Sequence, residues 1–148
     1  PIEVFNNPVN VFVATFIGSP PMNVMECNLV SQNDELFIKI DSDVLMPCPS
    51  SKKDKLSKSS KVFVGIRAED IVPSVNSTDL EKKGWNFEKS IELAEPLGTE
   101  TQLFFKLNDK DIISRMYNPR AIQVGEKIKF EVDLAKVHFF DYETEKAI

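Results

Sequence analysis

The sequence predicts a mainly β fold, a small antiparallel barrel with an N-terminal connecting helix and added strands. Short segments of alternating apolar and polar residues recur from residue 25 onward, separated by Gly, Asn and Asp as turn residues. Clear helical periodicity is confined to the N-terminus. About five strands, with one helical turn before the last, are typical of the OB fold. A length of 148 residues suits one domain of this kind.

The N-terminal segment carries the signals of a helix. Asn7 is a favoured N-cap residue, Pro8 suits the first helical position, and Gly18 followed by Ser-Pro-Pro ends the pattern. We therefore predict a helix that begins at Pro8, a connecting segment of residues 1–18 and an OB-type domain of residues 19–148. The helix face with the spacing of core residues contains Val9, Phe12, Val13, Phe16 and Ile17.

The opposite helix face consists of Asn10, Val11, Ala14 and Thr15, which are small or apolar and carry no charge. A solvated helix face would carry Lys or Glu. We predict that this face contacts a second body, either another domain or another subunit. A helix buried within a single core is the alternative that these residues leave open.

The first strands of the barrel follow the helix. A hairpin is predicted over residues 25–40 with its turn at 32–34, and a strand at 62–66 leads directly into Arg67-Ala68-Glu69-Asp70. Between them, the lysine-rich residues 52–61 lack aromatic or apolar neighbours and predict a solvated linker. Residues 71–84 predict a surface loop.

The C-terminal half alternates almost continuously. Strands are predicted at 87–93, 103–107 and 112–116, with turns at 96–100 and 108–111 and a helical turn at 118–125. The strand with the strictest alternation follows, and residues 137–140 complete the fold. In the strand with the strictest alternation, the inward side chains are predicted to be those of Ile128, Phe130, Val132 and Leu134.

Composition and motifs disfavour several classes of function. A net charge of −5 argues against nucleic-acid binding, which needs an excess of Lys and Arg. None of the five glycines begins a nucleotide phosphate-binding motif, and a single histidine supports neither a zinc site nor a catalytic triad. Cys27 and Cys48 are expected to be reduced thiols, and no apolar run is long enough to span a bilayer. We predict no catalytic, cofactor or metal site in this chain.

Four motifs are specific enough to compare with known families. They are the segment from Pro1 to Asn23, GIRAED at 65–70, EPLGTET at 95–101 and the terminal segment from Phe140 to Ile148. In this order they resemble the C-terminal, transport-associated OB (TOBE) part of ATP-binding subunits of sugar-import ABC transporters, of the maltose and glycerol-phosphate type. Two positions depart from the family pattern, because Ala68 replaces a usual Pro and Glu145 replaces a common Gly.

The resemblance implies a regulatory and assembly domain that acts through protein contacts. Its implied partners are its own ATPase domain, a second copy of the subunit, the membrane subunits of the transporter and, in some members, a regulatory protein. It also implies a cytoplasmic location at the inner face of the cell membrane, with ATP and Mg²⁺ bound in an ATPase domain that would lie before Pro1. The candidate interface residues are Asn10, Val11, Ala14, Thr15, Arg67, Glu69, Asp70, Phe140 and Asp141.

Two other functions are less well supported. A barrel that binds an oxyanion or another small ligand would need converging donors, whereas Arg67, Arg115 and Arg120 are dispersed among acidic residues. A free-standing barrel for single-stranded nucleic acid would need a strand that combines aromatic and basic residues, and the sequence has none.

Overall fold

The computed structural model describes residues 2–16, 18, 20–74, 84–117 and 120–148. The chain forms two compact units, one of Pro1–Ile66 with Val137–Ile148 and one of Arg67–Lys136. The predicted boundary at residue 18, between a connecting helix and an OB-type domain, stays a prediction. None of the helices in the described ranges has the length and hydropathy needed to cross a membrane.

The first unit is built on a five-stranded antiparallel sheet. Numbered along the chain, its strands are β1 (Asn23–Gln32), β2 (Glu35–Asp41), β3 (Val44–Pro47), β4 (Lys61–Ile66) and β11 (His138–Asp141). They lie in the order β11-β4-β1-β2-β3. The predicted hairpin is confirmed, because Asn33 and Asp34 connect β1 to β2 with φ angles of 52° and 66°. Two successive positive φ angles are typical of a type I′ turn, which matches the twist of the flanking strands.

One face of this sheet forms a core. Alternate residues of its strands are buried there: Met25, Cys27, Ile38, Ile40, Met46, Val62 and Val64. Burial away from water disfavours the thiolate and raises the pKa of Cys27 to about 12, with a smaller contribution from the charge of Glu26. Cys27 is therefore a core thiol that stays protonated at neutral pH.

The lysine-rich segment is more ordered than predicted. A 3-10 turn at Ser50–Lys52 leads into a short helix, α3 (Lys53–Leu56). The side chain of Leu56 is completely buried, whereas the lysines at 53, 55 and 58 are exposed. The prediction of a solvated linker is thus wrong for the backbone, because the Leu56 side chain anchors it, and right for Lys53, Lys55 and Lys58. Lys52 is only partly exposed, and its Nζ donates to the Ile148 carbonyl over 2.8 Å.

The second unit contains two three-stranded antiparallel sheets. The strands of one sheet are β5 (Val72–Pro73), β6 (Trp85–Ser90) and β10 (Lys127–Val132), in the order β5-β10-β6. Those of the other are β7 (Leu93–Pro96), β8 (Glu100–Leu107) and β9 (Lys110–Tyr117), in the order β7-β8-β9. 3-10 turns lie at Ala68–Asp70 and Leu134–Lys136.

The predictions for three segments of this unit are wrong. The surface loop predicted at 71–84 begins with the fully buried Ile71 and with β5, and its residues 75–83 lie outside the described residues. The strand predicted at 87–93 is two strands in different sheets: β6 ends at Ser90, Ile91 is buried, and Leu93 begins β7 with 50% of its surface exposed. Sheet pairing overrides the local alternation here, because β6 pairs with β10 and β7 pairs with β8. The helical turn predicted at 118–125 is described only from residue 120, and from there to 125 the backbone is not helical and turns at Gly125 with a φ of 90°.

Aromatic rings form the centre of the second unit. The ring centroids of Phe105 and Phe130 are 4.6 Å apart, and Phe87 lies 5.4 Å from Phe130. The predicted inward row of β10 is confirmed for Ile128, Phe130 and Val132, which are at most 3% exposed. Leu134 instead lies in the 3-10 turn after β10 and is only partly buried.

Candidate protein-interaction site

The N-terminal segment contains two short helices, α1 (Ile2–Asn6) and α2 (Val11–Phe16). The prediction that a helix begins at Pro8 is wrong, because Asn10 rather than Asn7 caps α2. The Asn10 side-chain oxygen accepts a hydrogen bond from the Val13 N–H over 2.8 Å. Asn7 instead closes α1, where its own N–H donates to the Glu3 carbonyl over 2.8 Å. Both asparagines are good cap residues, so sequence alone does not choose between them.

With the later start of α2, Ala14 and Phe12 exchange their predicted positions, while Thr15 is exposed as predicted. The predicted core positions of Ile17 and of the Phe16 side chain lie outside the described residues. Ala14, predicted to face outward, is fully buried in a cluster with Met22, Val24 and Phe140. Phe12, predicted to face the core, is 69% exposed. The Ala14 carbonyl accepts a hydrogen bond from the Met22 N–H, so the helix backbone lies close to the chain beneath it. Only a small side chain fits at such a close approach, which explains why Ala14 lies inside.

Gly65 of β4 contributes to the same close packing. A Cβ atom at this position would lie 2.5 Å from the Met22 sulfur and 3.0 Å from the Phe140 ring. The glycine that opens the GIRAED motif therefore makes room for the cluster under α2. Phe140, a candidate interface residue, belongs to this cluster and has no exposed surface.

The segment around α2 is held by the C-terminal residues. The Val11 N–H donates to the Glu145 carbonyl over 3.0 Å, and the Ala147 N–H donates to the Val9 carbonyl over 2.8 Å. Asn10 and Lys146 form an isolated antiparallel bridge between these bonds. The residues on either side of Asn10 are therefore fixed in place by main-chain hydrogen bonds.

Three large apolar side chains of this segment face solvent. Ile2 is 76% exposed, Val9 is 65% exposed and Phe12 is 69% exposed. We call these three residues the N-terminal apolar surface. Single exposed apolar residues are common, and three within eleven residues concentrate exposed apolar surface on this segment. Thr15 is also exposed, and its hydroxyl donates to the carbonyls of Val11 and Phe12.

The terminal turn keeps the geometry that a glycine would favour. The Asp141 carboxylate accepts hydrogen bonds from the N–H groups of Thr144 and Glu143, which lower its pKa. Glu145 has a φ of 61°, in the left-handed region, and its N–H donates to the Asp141 carbonyl over 2.8 Å. Glu145 thus adopts, in the place of the family's common Gly, the left-handed conformation that glycine favours, and Asp141 shapes this turn.

The candidates Arg67, Glu69 and Asp70 lie in the second unit. Arg67 is only 3% exposed, and burial lowers its pKa although the charges of Glu69 and Asp70 partly offset this effect. Burial raises the pKa of Asp70, against the attraction of Lys136, whose Nζ lies 4.0 Å from Asp70 Oδ1. The turn at Ala68–Asp70 forms with Ala in the place of the family's Pro, and Ala68 is fully buried.

The charges around this turn do not favour an anion site. On β9, Arg115 Nε lies 3.2 Å from Glu100 Oε2. The hydrogen bond that Arg115 donates to the Tyr117 hydroxyl raises the pKa of Arg115, and the charges of Glu100 and Glu69 raise it further. Carboxylates thus accompany the arginines here and would repel an oxyanion. Among the residues that the structure describes, no group of three or more His, Cys, Asp or Glu side chains could hold a metal ion.

Comparison with family models decides the family. A model described as the MalK OB fold domain matches residues 18–71, and a model of the TOBE domain matches residues 64–140, just over half of the chain. The chain belongs to the TOBE domain family. The two models overlap at residues 64–71, from the end of β4 through the GIRAED motif, and together they span residues 18–140 of this TOBE chain.

The relatives of the TOBE chain are ATP-binding proteins of import systems. It is 36% identical over 153 residues to the multiple sugar-binding transport ATP-binding protein MsmK of Streptococcus mutans, covering 100% of this chain and 39% of that protein. It is 35% identical to the oligosaccharides import ATP-binding protein MsmX of Bacillus subtilis, covering 100% of this chain and 40% of that protein. The sn-glycerol-3-phosphate import ATP-binding protein UgpC of Psychromonas ingrahamii is 30% identical, with coverages of 100% and 38%.

The TOBE chain therefore spans about two fifths of the length of these curated relatives. The part that it matches is their C-terminal part, and not their catalytic ATPase domain. Among solved structures, the cytoplasmic molybdate-binding protein ModG with bound molybdate has a TM-score of 0.56 at 12% identity, with 79% of this chain and 94% of that chain covered. At this identity the likeness shows a shared fold.

Proposed function

We propose that this chain is a regulatory and assembly domain of the ATP-hydrolysing subunit of a carbohydrate ABC importer, and that it acts through protein contacts. Its relatives in sugar and glycerol-phosphate import support the type of transporter. The N-terminal apolar surface supports the proposed action through protein contacts, because main-chain hydrogen bonds hold this segment to the fold while its apolar side chains are exposed. We assign the N-terminal apolar surface to a contact with the ATPase domain of the same subunit.

The remaining partners follow from the same proposal. The subunit pairs with a second copy, binds the membrane subunits of the importer at the inner face of the cell membrane, and is open to control by a regulatory protein. ATP and Mg²⁺ bind in the ATPase domain. The domain described here contributes contacts that stabilise particular arrangements of that assembly.

Burial of the N-terminal apolar surface supplies a driving force for this contact. Moving a large apolar side chain from water into a packed interface is favourable by about 1.5–3 kcal/mol. Ile2, Val9 and Phe12 all retain most of their accessible surface. Their combined burial would be large enough to influence how ATPase and regulatory domains move together.

Phe12→Glu in the intact importer tests the proposal. Because Phe12 is 69% exposed, the melting temperature of the 148-residue chain should hardly change. Transport by the intact importer should fall by about tenfold or more, because a charge would enter the docked contact and cost at least about 1.4 kcal/mol. Sugar uptake and the coupled ATPase rate measure this effect.

Val124→Glu is the matched control, because Val124 is also an apolar residue with 69% of its surface exposed, and it lies in the second unit. It should leave transport near the wild-type level. Equal transport by the wild type and the Phe12→Glu variant would overturn the proposed contact.

A further inference from the structure

Residues 145–148 lie between the N-terminal segment and β11, and we call them the clasp segment. On the β11 side, the Asp141 N–H donates to the Lys146 carbonyl over 2.8 Å, and the Ile148 N–H donates to the Phe139 carbonyl over 2.9 Å. These two bonds enclose an isolated antiparallel bridge between β11 and the clasp segment. The clasp segment therefore continues the five-stranded sheet beyond its edge strand, β11.

On its other side, the clasp segment holds the N-terminal segment. Its main-chain hydrogen bonds to Val9 and Val11 lie on either side of the Asn10–Lys146 bridge. This is the pattern of a non-hydrogen-bonded pair in an antiparallel ladder. Main-chain hydrogen bonds thus run in series from residues 9–11 to the clasp segment, from there to β11, and from β11 to β4. The N-terminal segment is joined to the central sheet through this series.

The clasp segment is the firmer of two holds on α2. The other hold is the apolar cluster around Ala14, where one main-chain bond runs from the Met22 N–H to the Ala14 carbonyl over 3.4 Å. That distance exceeds the ordinary range of about 2.7–3.2 Å, whereas the clasp bonds measure 2.8 and 3.0 Å. A helix of six residues, such as α2, is marginal without contacts outside the helix. The clasp segment provides the best main-chain contacts of this kind.

The clasp segment is itself secured at both ends. The Lys52 side chain donates from its Nζ to the Ile148 carbonyl over 2.8 Å. At the other end, the Asp141 carboxylate holds the preceding turn through the N–H groups of Glu143 and Thr144. A segment fixed in this way can set the position of the residues that pair with it.

We propose that the clasp segment positions the N-terminal apolar surface for its contact with the ATPase domain, and couples movement of that domain to the five-stranded sheet. The inference rests on the proposed function, which assigns this surface to the ATPase domain. Coupling between distant sites is carried by continuous hydrogen-bond networks and rigid elements, and the series from residues 9–11 to β4 is such a network. Ala147 is its positioning residue, because its N–H donates to Val9.

Ala147→Pro tests the holding role, because proline lacks the N–H that donates to Val9 and keeps the donors and acceptors of the two β11 bonds. In the 148-residue chain, the Val11 amide should exchange its hydrogen at least about tenfold faster than in the wild type, because the N-terminal segment opens more often. Amides of β1 should exchange as in the wild type, since β1 keeps its pairing with β2 and β4.

Ala121→Pro is the matched control, because Ala121 is an exposed alanine outside the helices and strands of the second unit. It should leave exchange of the Val11 amide unchanged. Unchanged Val11 exchange in the Ala147→Pro chain would overturn the inference. An equal rise at β1 and at Val11 would overturn it too, because the whole unit would then have loosened.

A disulfide restores the hold in the same chain. Residues opposite each other in a non-hydrogen-bonded pair have Cα atoms about 4.5 Å apart, which suits a disulfide. Asn10→Cys and Lys146→Cys are therefore combined with Ala147→Pro and Cys48→Ser, and the remaining thiol is buried. Reduced and oxidised forms share the loss of the Asn10 cap, so their difference reports the hold alone. The Val11 amide should exchange at least about tenfold more slowly in the oxidised form.

Sugar uptake by the intact importer tests the coupling role. With the same four changes in its ATP-binding subunit, the reduced importer should transport about fivefold or more slowly than the wild type, and oxidation should restore uptake. The Ala121→Pro importer should transport like the wild type in both redox states. Equal uptake by the reduced and oxidised forms would overturn the inference. This outcome is distinguishable from a failure of the proposed function, in which Phe12→Glu itself leaves transport unchanged.

Discussion

Ala14 and Phe12 are only two positions apart in α2, yet the side chain of Ala14 is buried and that of Phe12 is exposed to solvent. The spacing of apolar residues favours Phe12 as the core residue, because its ring is larger and more hydrophobic. The structure places Ala14 inside because the backbone of α2 approaches Met22 too closely for a ring. Distance between backbones, which periodicity does not encode, therefore decides which face is buried.

Ala14→Arg tests the orientation of α2. A charged side chain in the fully buried Ala14 position should lower the free energy of unfolding by at least about 3 kcal/mol. Thr15→Arg is the control on the same helix, and it should change stability by less than about 0.5 kcal/mol because Thr15 is exposed. Urea unfolding followed by circular dichroism measures both. Equal stability of the two variants would mean that Ala14 does not face the core.

Asp70 gives a prediction for pH dependence. Burial raises its pKa above the ordinary value of 3.8, so the folded chain holds the proton more tightly than the unfolded chain. Its contribution to stability is complete below pH 3.8 and is lost as the pH rises through the raised pKa. The Asp70→Asn variant has no carboxyl group to titrate at this position. The free energy of unfolding of the variant minus that of the wild type should therefore increase as the pH rises through this range. Unfolding curves at several pH values measure the difference, and a difference that is constant with pH would contradict it.

At the scale of elements, the terminal turn connects the C-terminus to the segment before α2. Asp141 organises the turn through the N–H groups of Glu143 and Thr144, and Glu145 then presents its carbonyl to Val11. Glu145 adopts a left-handed conformation that is costly for residues with a Cβ atom other than Asn and Asp. The contact with Val11 keeps the turn in place despite this cost.

Glu145→Gly should therefore stabilise the chain by about 0.5–1 kcal/mol, because glycine adopts the left-handed conformation without a steric cost. Glu143→Gly is the control in the same turn, where φ is not positive. It should destabilise slightly, because it only adds freedom to the unfolded chain. Thermal unfolding of both variants measures the difference, and a less stable Glu145→Gly chain would show that the left-handed residue carries no strain.

Elements that depend on local chemistry are predictable from the sequence. Asn33-Asp34 and Asn108-Asp109 form the predicted turns, with positive φ angles at all four residues, because Asn and Asp tolerate that conformation. The break between β6 and β7 near Ile91 is not predictable in this way, since the alternation runs through it and only pairing with β10 and β8 separates the strands.

In the candidate site, too, the sequence predicts some features, and the packing of the chain decides the others. The family motifs identify the kind of protein, and the N-terminal segment is indeed where exposed apolar surface is concentrated. The individual residues differ, because Ala14 and Phe140 lie in the core while Ile2, Val9 and Phe12 are exposed. Asn10 caps α2 by accepting a hydrogen bond from the Val13 N–H, but Asn7 is an equally good cap residue, so local sequence does not decide where α2 begins.

At the scale of the whole molecule, the N-terminal apolar surface belongs to the first unit, Pro1–Ile66 with Val137–Ile148. In the proposed function this surface contacts the ATPase domain of the same subunit.

Thiol labelling at position 12 tests the docked N-terminal surface most directly. Phe12→Cys is placed in a Cys48→Ser background, where the remaining thiol, Cys27, is 2% exposed, and Ser42→Cys serves as an exposed control in the same unit. Maleimide should modify position 12 rapidly in the 148-residue chain and about tenfold or more slowly in the intact ATP-binding subunit, while position 42 reacts alike in both. Equal rates at position 12 in the chain and in the intact subunit would show that this surface stays in water, and would contradict a domain that works through that contact.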